Sequence, residues 1–264
     1  MVAIAGYVGF VFCGGRVVML WRVDDRTFLR GPSPERRRRH SRVGLAASVG
    51  FLLLAASALA QQTIFNVPTA DVLDKGKTYL EIDALWRPQE ADFALFTARG
   101  VYGVGSNLEA GVNVGGFVTP GRSVPIATPN IKWQPWKNDT FAVTTGVFGL
   151  FFLRGSQDGS PAGLAYAHVA AKLPTNTRLT VGGYWATSGY AATEPEAGAL
   201  IALEQTVIPH LNVIADWFSN ENGIGYLTPG ISSTWGGWTF YAGYSIKNGD
   251  SDGNAMLLEA GFTF

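Results

Sequence analysis

From residue 77 to the last residue, apolar and polar positions alternate in runs of about ten residues, each followed by a turn. The stretch "LLEAGFTF" shows the pattern: Leu258, Ala260, Phe262 and Phe264 share one parity, and Glu259, Gly261 and Thr263 the other. A period of two places the two sets on opposite faces of a β-strand. Twelve such strands are predicted, near 77–86, 95–102, 108–118, 126–134, 140–153, 163–173, 178–186, 198–208, 211–218, 224–234, 238–247 and 255–264.

The connections also alternate. Tight turns follow the even-numbered segments: "GVGSN", "PWKND", "PTNT", "IPH" and "GG". Longer polar loops follow most odd-numbered ones, as in "RPQEADFA", "RGSQDGSPA" and "TSGYAATEPEA". An even strand number with short turns on one side and long loops on the other predicts an all-β, antiparallel, up-and-down transmembrane β-barrel.

In every strand one parity can be chosen that carries no ionisable residue. The opposite parity carries Glu81, Asp83, Arg99, Glu109, Lys132, His168, Lys172, Arg178, Glu204, Asp216, Lys247 and Glu259, which are therefore the candidate pore-lining residues. Two readings stand for them: they bias which solutes pass, or they pair into salt bridges that fill the lumen. Phe117 and Phe148 point inward and Gln205 outward against the pattern. Glycine is frequent on the polar face, as crowding inside a narrow barrel requires.

The tryptophans separate a membrane barrel from a soluble sandwich. Trp86, Trp185 and Trp217 lie near the long-loop ends of strands, and Trp133, Trp136, Trp235 and Trp238 near the short-turn ends. Two belts of this kind are aromatic girdles at two membrane interfaces.

Composition and charge sharpen this picture. Charged residues make up 15% of the chain, well under the quarter usual for soluble domains. Before Gln61 there are nine arginines and three acidic residues; from Gln61 on, 11 basic residues face 17 acidic ones. No basic patch survives in the second part, which argues against a nucleic-acid partner. "RRRRHSR" followed by "VGLAASVGFLLLAASALA" predicts a signal peptide, with cleavage between Ala60 and Gln61 at an A-x-A pattern. Residues 1–60 are then a leader, of which 1–35 fit a start assigned too far upstream. Cys13, the one cysteine, falls in the leader, so thiol chemistry is not expected beyond it. Residues 61–76 are assigned as a periplasmic N-terminal segment that either trails as a tail or folds into the barrel mouth as a partial plug.

The final stretch "LLEAGFTF" resembles the C-terminal signal of bacterial outer-membrane proteins, which ends in Phe behind alternating apolar residues. That resemblance implies an outer-membrane location, lipid contacts, and recognition of the last strand, Phe264 above all, by the barrel-assembly machinery. "LEQTVIPHLNVIADWFS" (203–219) is similar to outer-membrane barrels associated with phenol-degradation pathways; no substrate is carried over from it.

Sites for chemistry are few. A Ser–His–acid hydrolase needs a histidine beside a serine, oriented by a third group. Twelve-stranded outer-membrane phospholipases and lipid A deacylases place those groups on the membrane side or outer rim. His168 is predicted in the lumen and His210 in a short turn, and neither has an adjacent serine. "NGDSDGN" offers Asp250, Asp252 and Asn254 at alternate positions but lacks the closing Glu of a calcium loop. "GVGSNLEAG" lacks the third glycine and helix start of a nucleotide loop. No catalytic residue, metal or cofactor is expected. The expected function is a narrow porin or channel for small polar solutes. The alternative is a closed structural or partner-binding barrel, and a lipid hydrolase is third.

Overall fold

Along Thr78–Trp86 the side chains of Tyr79, Glu81 and Asp83 are buried while Leu80 and Ile82 are exposed. This strand repeats in miniature what the whole sheet does. The computed structural model of the protein describes residues 9–13, 16–20, 63–88, 93–119, 122–153, 162–194, 196–249 and 251–264. The leader's arginine run and A-x-A boundary, and Asp250, lie outside the described residues.

A short antiparallel hairpin, β1 (Gly9–Cys13) and β2 (Arg16–Leu20), belongs to a first unit. The second unit holds twelve strands: β3 (Thr78–Trp86), β4 (Ala94–Gly105), β5 (Leu108–Thr119), β6 (Arg122–Lys137), β7 (Phe141–Phe152), β8 (Ala162–Lys172), β9 (Thr177–Ala186), β10 (Glu196–Ile208), β11 (Leu211–Phe218), β12 (Tyr226–Trp235), β13 (Trp238–Lys247) and β14 (Ala255–Thr263). A four-residue helix, α1 (Ser188–Ala191), lies between β9 and β10. Each strand pairs antiparallel with its chain neighbours, and β14 pairs with β3, so the sheet closes on itself. Among the described residues no helix is long and apolar enough to cross a membrane.

The closing seam runs from Met256 opposite Trp86 to Thr263 opposite Tyr79. Beyond it Thr78 and Phe264 exchange both backbone hydrogen bonds, at 3.0 Å each. With no free edge, every strand of the barrel is paired on both sides, which is what a chain surrounded by hydrocarbon requires. The tight turns have the backbone their residues predict. Ser106 and Asn107 both adopt positive φ, at 55° and 56°, the conformation of a type I′ hairpin turn.

The outer face is apolar: Ile82, Phe96, Val114, Ile131, Val147, Val181, Ile231 and Leu258 are all exposed. Trp235 lies directly opposite Trp238 across one hairpin. Trp217 donates from Nε1 to Asn248 Oδ1 at 3.3 Å. Near the seam, Trp238 packs on Phe262 at 4.8 Å between ring centroids, and Phe262 on Phe264 at 5.6 Å.

The inner face is mixed rather than polar. Leu200, Ile214, Phe218, Tyr241 and Leu257 point inward and are buried. They form one cluster with Ile64, Phe65 and Val67, which precede the first barrel strand. Residues from Thr63 to Leu73 pack against the inward face of the wall, while Asp74 to Gly76 are exposed.

Candidate functional site

The segment 63–76 enters the barrel as a tight loop and is tied to the wall at four levels. Thr63 bridges to Pro68, and Ile64 N–H donates to Val67 O at 2.8 Å. That turn aims three successive N–H groups one way. Asp216 Oδ2 accepts all of them, from Phe65 at 3.0 Å, Asn66 at 2.6 Å and Val67 at 2.8 Å. A backbone concavity of this kind is a ready anion site, and here the anion is a side chain of β11. Asn66 Nδ2 adds bonds to Asp216 Oδ1 at 3.4 Å and to Thr228 Oγ1 at 3.0 Å. A fully buried carboxylate is costly unless its lone pairs are satisfied, and Asp216 meets that condition only because the segment is seated.

Around the turn the wall is shaped to fit. Phe65 is fully buried and meets Tyr241 edge-on at 6.3 Å. A Cβ at Gly230 would lie 2.5 Å from Phe65 Cζ, and one at Gly243 2.7 Å from it. These two glycines are therefore needed for the ring to reach its place. Burying one such ring stabilises the seated segment by roughly 1.5–3 kcal/mol.

The next anchors follow in chain order. Lys132 Nζ donates to Thr69 Oγ1 at 3.1 Å and pairs with Glu109 Oε1 at 2.9 Å, and Glu109 Oε2 accepts the Leu73 N–H at 2.9 Å. Ala70 O accepts from Gln134 Nε2 at 2.5 Å and Thr144 Oγ1 at 3.1 Å. Arg178 bridges Asp71 and Glu204, donating to both. Lys137 stands 3.9 Å from Asp71. Burial by itself raises the Asp71 pKa, but the attraction of Arg178 outweighs it, with Lys137 and Lys132 adding to that pull, so the carboxyl lies below its ordinary 3.8.

Two cavities flank the seated segment. One, of about 300 Å³, lies toward the long-loop end. Thr63, Phe65 and Asn66 contribute to its lining, and Phe93, Phe117, Phe148, Phe218 and Tyr190 give it an aromatic wall. Arg87 stacks on Phe93, 4.3 Å from the ring centroid. Burial pushes the Tyr190 hydroxyl up to about 12 against the opposing charge of Arg99, so it is a neutral donor at physiological pH. The other cavity, of about 450 Å³, lies at the short-turn end and is polar, lined by Asp71, Lys172, Arg178, Glu204 and Asn212 among others.

The twelve candidate pore residues thus divide into groups. Glu81, Asp83, Arg99 and Glu259 meet at the closing seam: Arg99 Nε lies 2.5 Å from Asp83 Oδ2 and 3.2 Å from Glu81 Oε1. Glu109 pairs with Lys132 and Glu204 with Arg178, while Asp216 serves the seated segment. Lys247 lies 4.5 Å over the Tyr226 ring and donates to Asn222 O. Lys172 is exposed in the lower cavity. His168 is buried and stacked on Tyr166 at 5.7 Å, and among the described residues neither ring nitrogen has a hydrogen-bond partner. His210 adopts positive φ in its turn, with Nδ1 2.8 Å from Thr234 O and its ring on Trp235 at 4.5 Å. Sequence reasoning missed Asp71, Thr63 and Asn66. The readable signal was "TIFNVP", an apolar cluster with no strand of its own in a segment bound for water.

No known family's sequence profile matches the chain, and no curated protein does. No sequence match therefore accompanies the likeness of residues 203–219 to phenol-degradation-associated barrels. Among solved structures, outer membrane phospholipase A from Escherichia coli is similar at 12% identity, over 72% of this chain and 90% of that one, with a TM-score of 0.43. An outer-membrane channel from Pseudomonas putida F1 is similar at 12% identity, over 74% of this chain and 98% of that one, with a TM-score of 0.44.

Proposed function

We propose that this barrel sits in a bacterial outer membrane and conducts small solutes through a lumen gated by its own residues 63–76. The observation that carries this reading is the pair of cavities on either side of the seated segment, one at each end of the lumen. A barrel meant only to be solid would have wall side chains, not a tethered length of chain, at its centre. The tether is held by hydrogen bonds, ion pairs and packing and by no covalent link, so its release would join the two cavities.

The aromatic wall of the upper cavity favours less polar solutes than the twelve charges alone implied, because most of those charges are spent on one another or on the segment. The apolar outer face and the two tryptophan belts support lipid contact. Phe264 presents an exposed ring beside Phe262, which supports recognition of the last strand during assembly. No covalent chemistry belongs to this reading.

The second reading, a closed structural or binding barrel, is favoured by the depth at which the segment is buried: Phe65, Val67 and Thr69 are each 0% exposed. Planar-bilayer recording separates the two. Discrete current steps from the purified protein support the channel, and a silent membrane supports the closed barrel.

A further inference from the structure

We propose that Glu81, Asp83 and Glu259 form a buried binding site for a hard divalent cation of calcium type, placed in the seam where β14 closes on β3. Glu259 lies directly opposite Asp83 in the strand register, and Glu81 is two residues along β3 on the same face. One carboxylate oxygen from each lies within 4.8 Å of the others. The three residues are 2–4% exposed.

The known partners do not satisfy this cluster. Arg99 supplies one positive charge, shared between Asp83 and Glu81. Tyr79 donates its hydroxyl to Glu81 Oε2. Among the described residues, that leaves Glu81 Oε1, Asp83 Oδ1 and both oxygens of Glu259 without a hydrogen bond. Glu259 is thus a nearly fully buried side chain, aimed into the cluster, with neither oxygen hydrogen-bonded. Three carboxylates against one guanidinium leave a formal charge of two negative units. Like charges opposite each other across strands destabilise a sheet, and buried uncompensated charge costs several kcal/mol.

A divalent cation matches that charge. The donor set is all carboxylate oxygen, which suits calcium or magnesium and not the metals that favour imidazole or thiolate. Calcium accepts six to eight oxygens in flexible geometry, whereas magnesium demands a near-ideal octahedron, and an irregular three-residue set fits the former. Bound there, the cation staples the closing seam. It also stiffens Arg99, whose Nη1 donates to Thr63 Oγ1 at 2.8 Å at the head of the seated segment. The site does not depend on the channel reading.

Calorimetric titration of calcium chloride into the full-length purified protein in detergent, after stripping with a chelator at neutral pH, tests it. One calcium per chain is expected, with Glu259→Gln weakening it by more than about tenfold, the loss that even a supporting residue can cause. Asp252→Asn, in the distant loop, leaves binding unchanged. Asp83→Asn gives the same comparison if Glu259→Gln does not fold. Terbium needs no variant: its emission, sensitised through Tyr79, should appear with the wild-type protein and fall as calcium displaces it. No calcium uptake and no sensitised emission, or equal uptake by the Glu259 and Asp83 variants, would show that protons compensate the carboxylates instead and overturns the site.

Discussion

One oxygen of Asp216 accepts the backbone N–H of Asn66 at 2.6 Å, and the Asn66 side chain reaches the other oxygen at 3.4 Å. The two residues are 150 positions apart in sequence. This contact fixes the segment 63–76 at mid-lumen, and its loss is the most direct route to an open barrel. Asp216→Ala removes an acceptor of three N–H groups, each bond to a charged group contributing roughly 1.5–3 kcal/mol. In a background without Cys13, a cysteine at Thr69, fully buried in the parent, should react slowly with a water-soluble maleimide. Adding Asp216→Ala should speed that labelling at least tenfold; an unchanged rate contradicts the anchor.

Gly243→Val places a side chain where the Phe65 ring sits. The barrel strands should still form, since valine suits a strand, but Phe65 should be expelled. Overpacking of this kind costs about 1–3 kcal/mol. The same maleimide assay should report faster labelling at position 69, and Phe65→Ala, which relieves the clash, should make Gly243→Val well tolerated, as read by the heat-dependent mobility shift of the barrel in detergent gels.

The lower anchor responds to acid. Asp71 lies below 3.8 in the folded protein because Arg178 outweighs its burial. A depressed carboxyl contributes stability that is full above the unfolded value and is lost as pH falls through the folded one. Current carried by the wild type should therefore stay low from neutral pH down past 3.8 and rise only below it. Arg178→Gln leaves burial dominant, moves the rise to higher pH, and raises open probability at a given acidic pH. Identical profiles for the two proteins contradict the Asp71–Arg178 tether.

The outer face makes its own prediction. Ile82 is 66% exposed at the middle of β3. Ile82→Arg should destabilise the barrel in phospholipid vesicles by about 2–4 kcal/mol, the cost of a basic side chain at mid-bilayer. Urea titration followed by tryptophan emission measures it. A change within error would mean that this face does not meet hydrocarbon.

Most of the barrel was legible in the sequence because a period of two, cut by turn residues, leaves little freedom. Leu211–Phe218 and Trp238–Lys247 match their predicted bounds, and most other strand ends fall within two or three residues. The largest difference is β6, which begins at Arg122 and runs to Lys137 through an irregularity between Trp133 and Trp136. An extra residue there breaks the alternation on which the reading depends. The inward parity was also readable, since it carries every strand charge. Its partners were not. Glu81 and Glu109 both count among the candidate pore-lining residues, but Glu109 turns to Lys132 while Glu81 meets Glu259 across a seam that exists only after closure. Leu200, Ile214 and Phe218 face inward against the polar expectation because Ile64, Phe65 and Val67 cover them. A fourteen-residue segment without periodicity carries no signal of where it docks.

A cross-link tests the gate most directly. Ala70 clusters with Ala142 and Ala170 on the wall, so Ala70→Cys with Ala142→Cys, in a background without Cys13, is the pair to join by oxidation. Single-channel recording of this variant should show discrete steps under reducing conditions, loss of those steps on oxidation, and their return on adding reductant. Steps of unchanged size and frequency after complete cross-linking would contradict gating by residues 63–76, and a membrane silent in both states would contradict the channel itself.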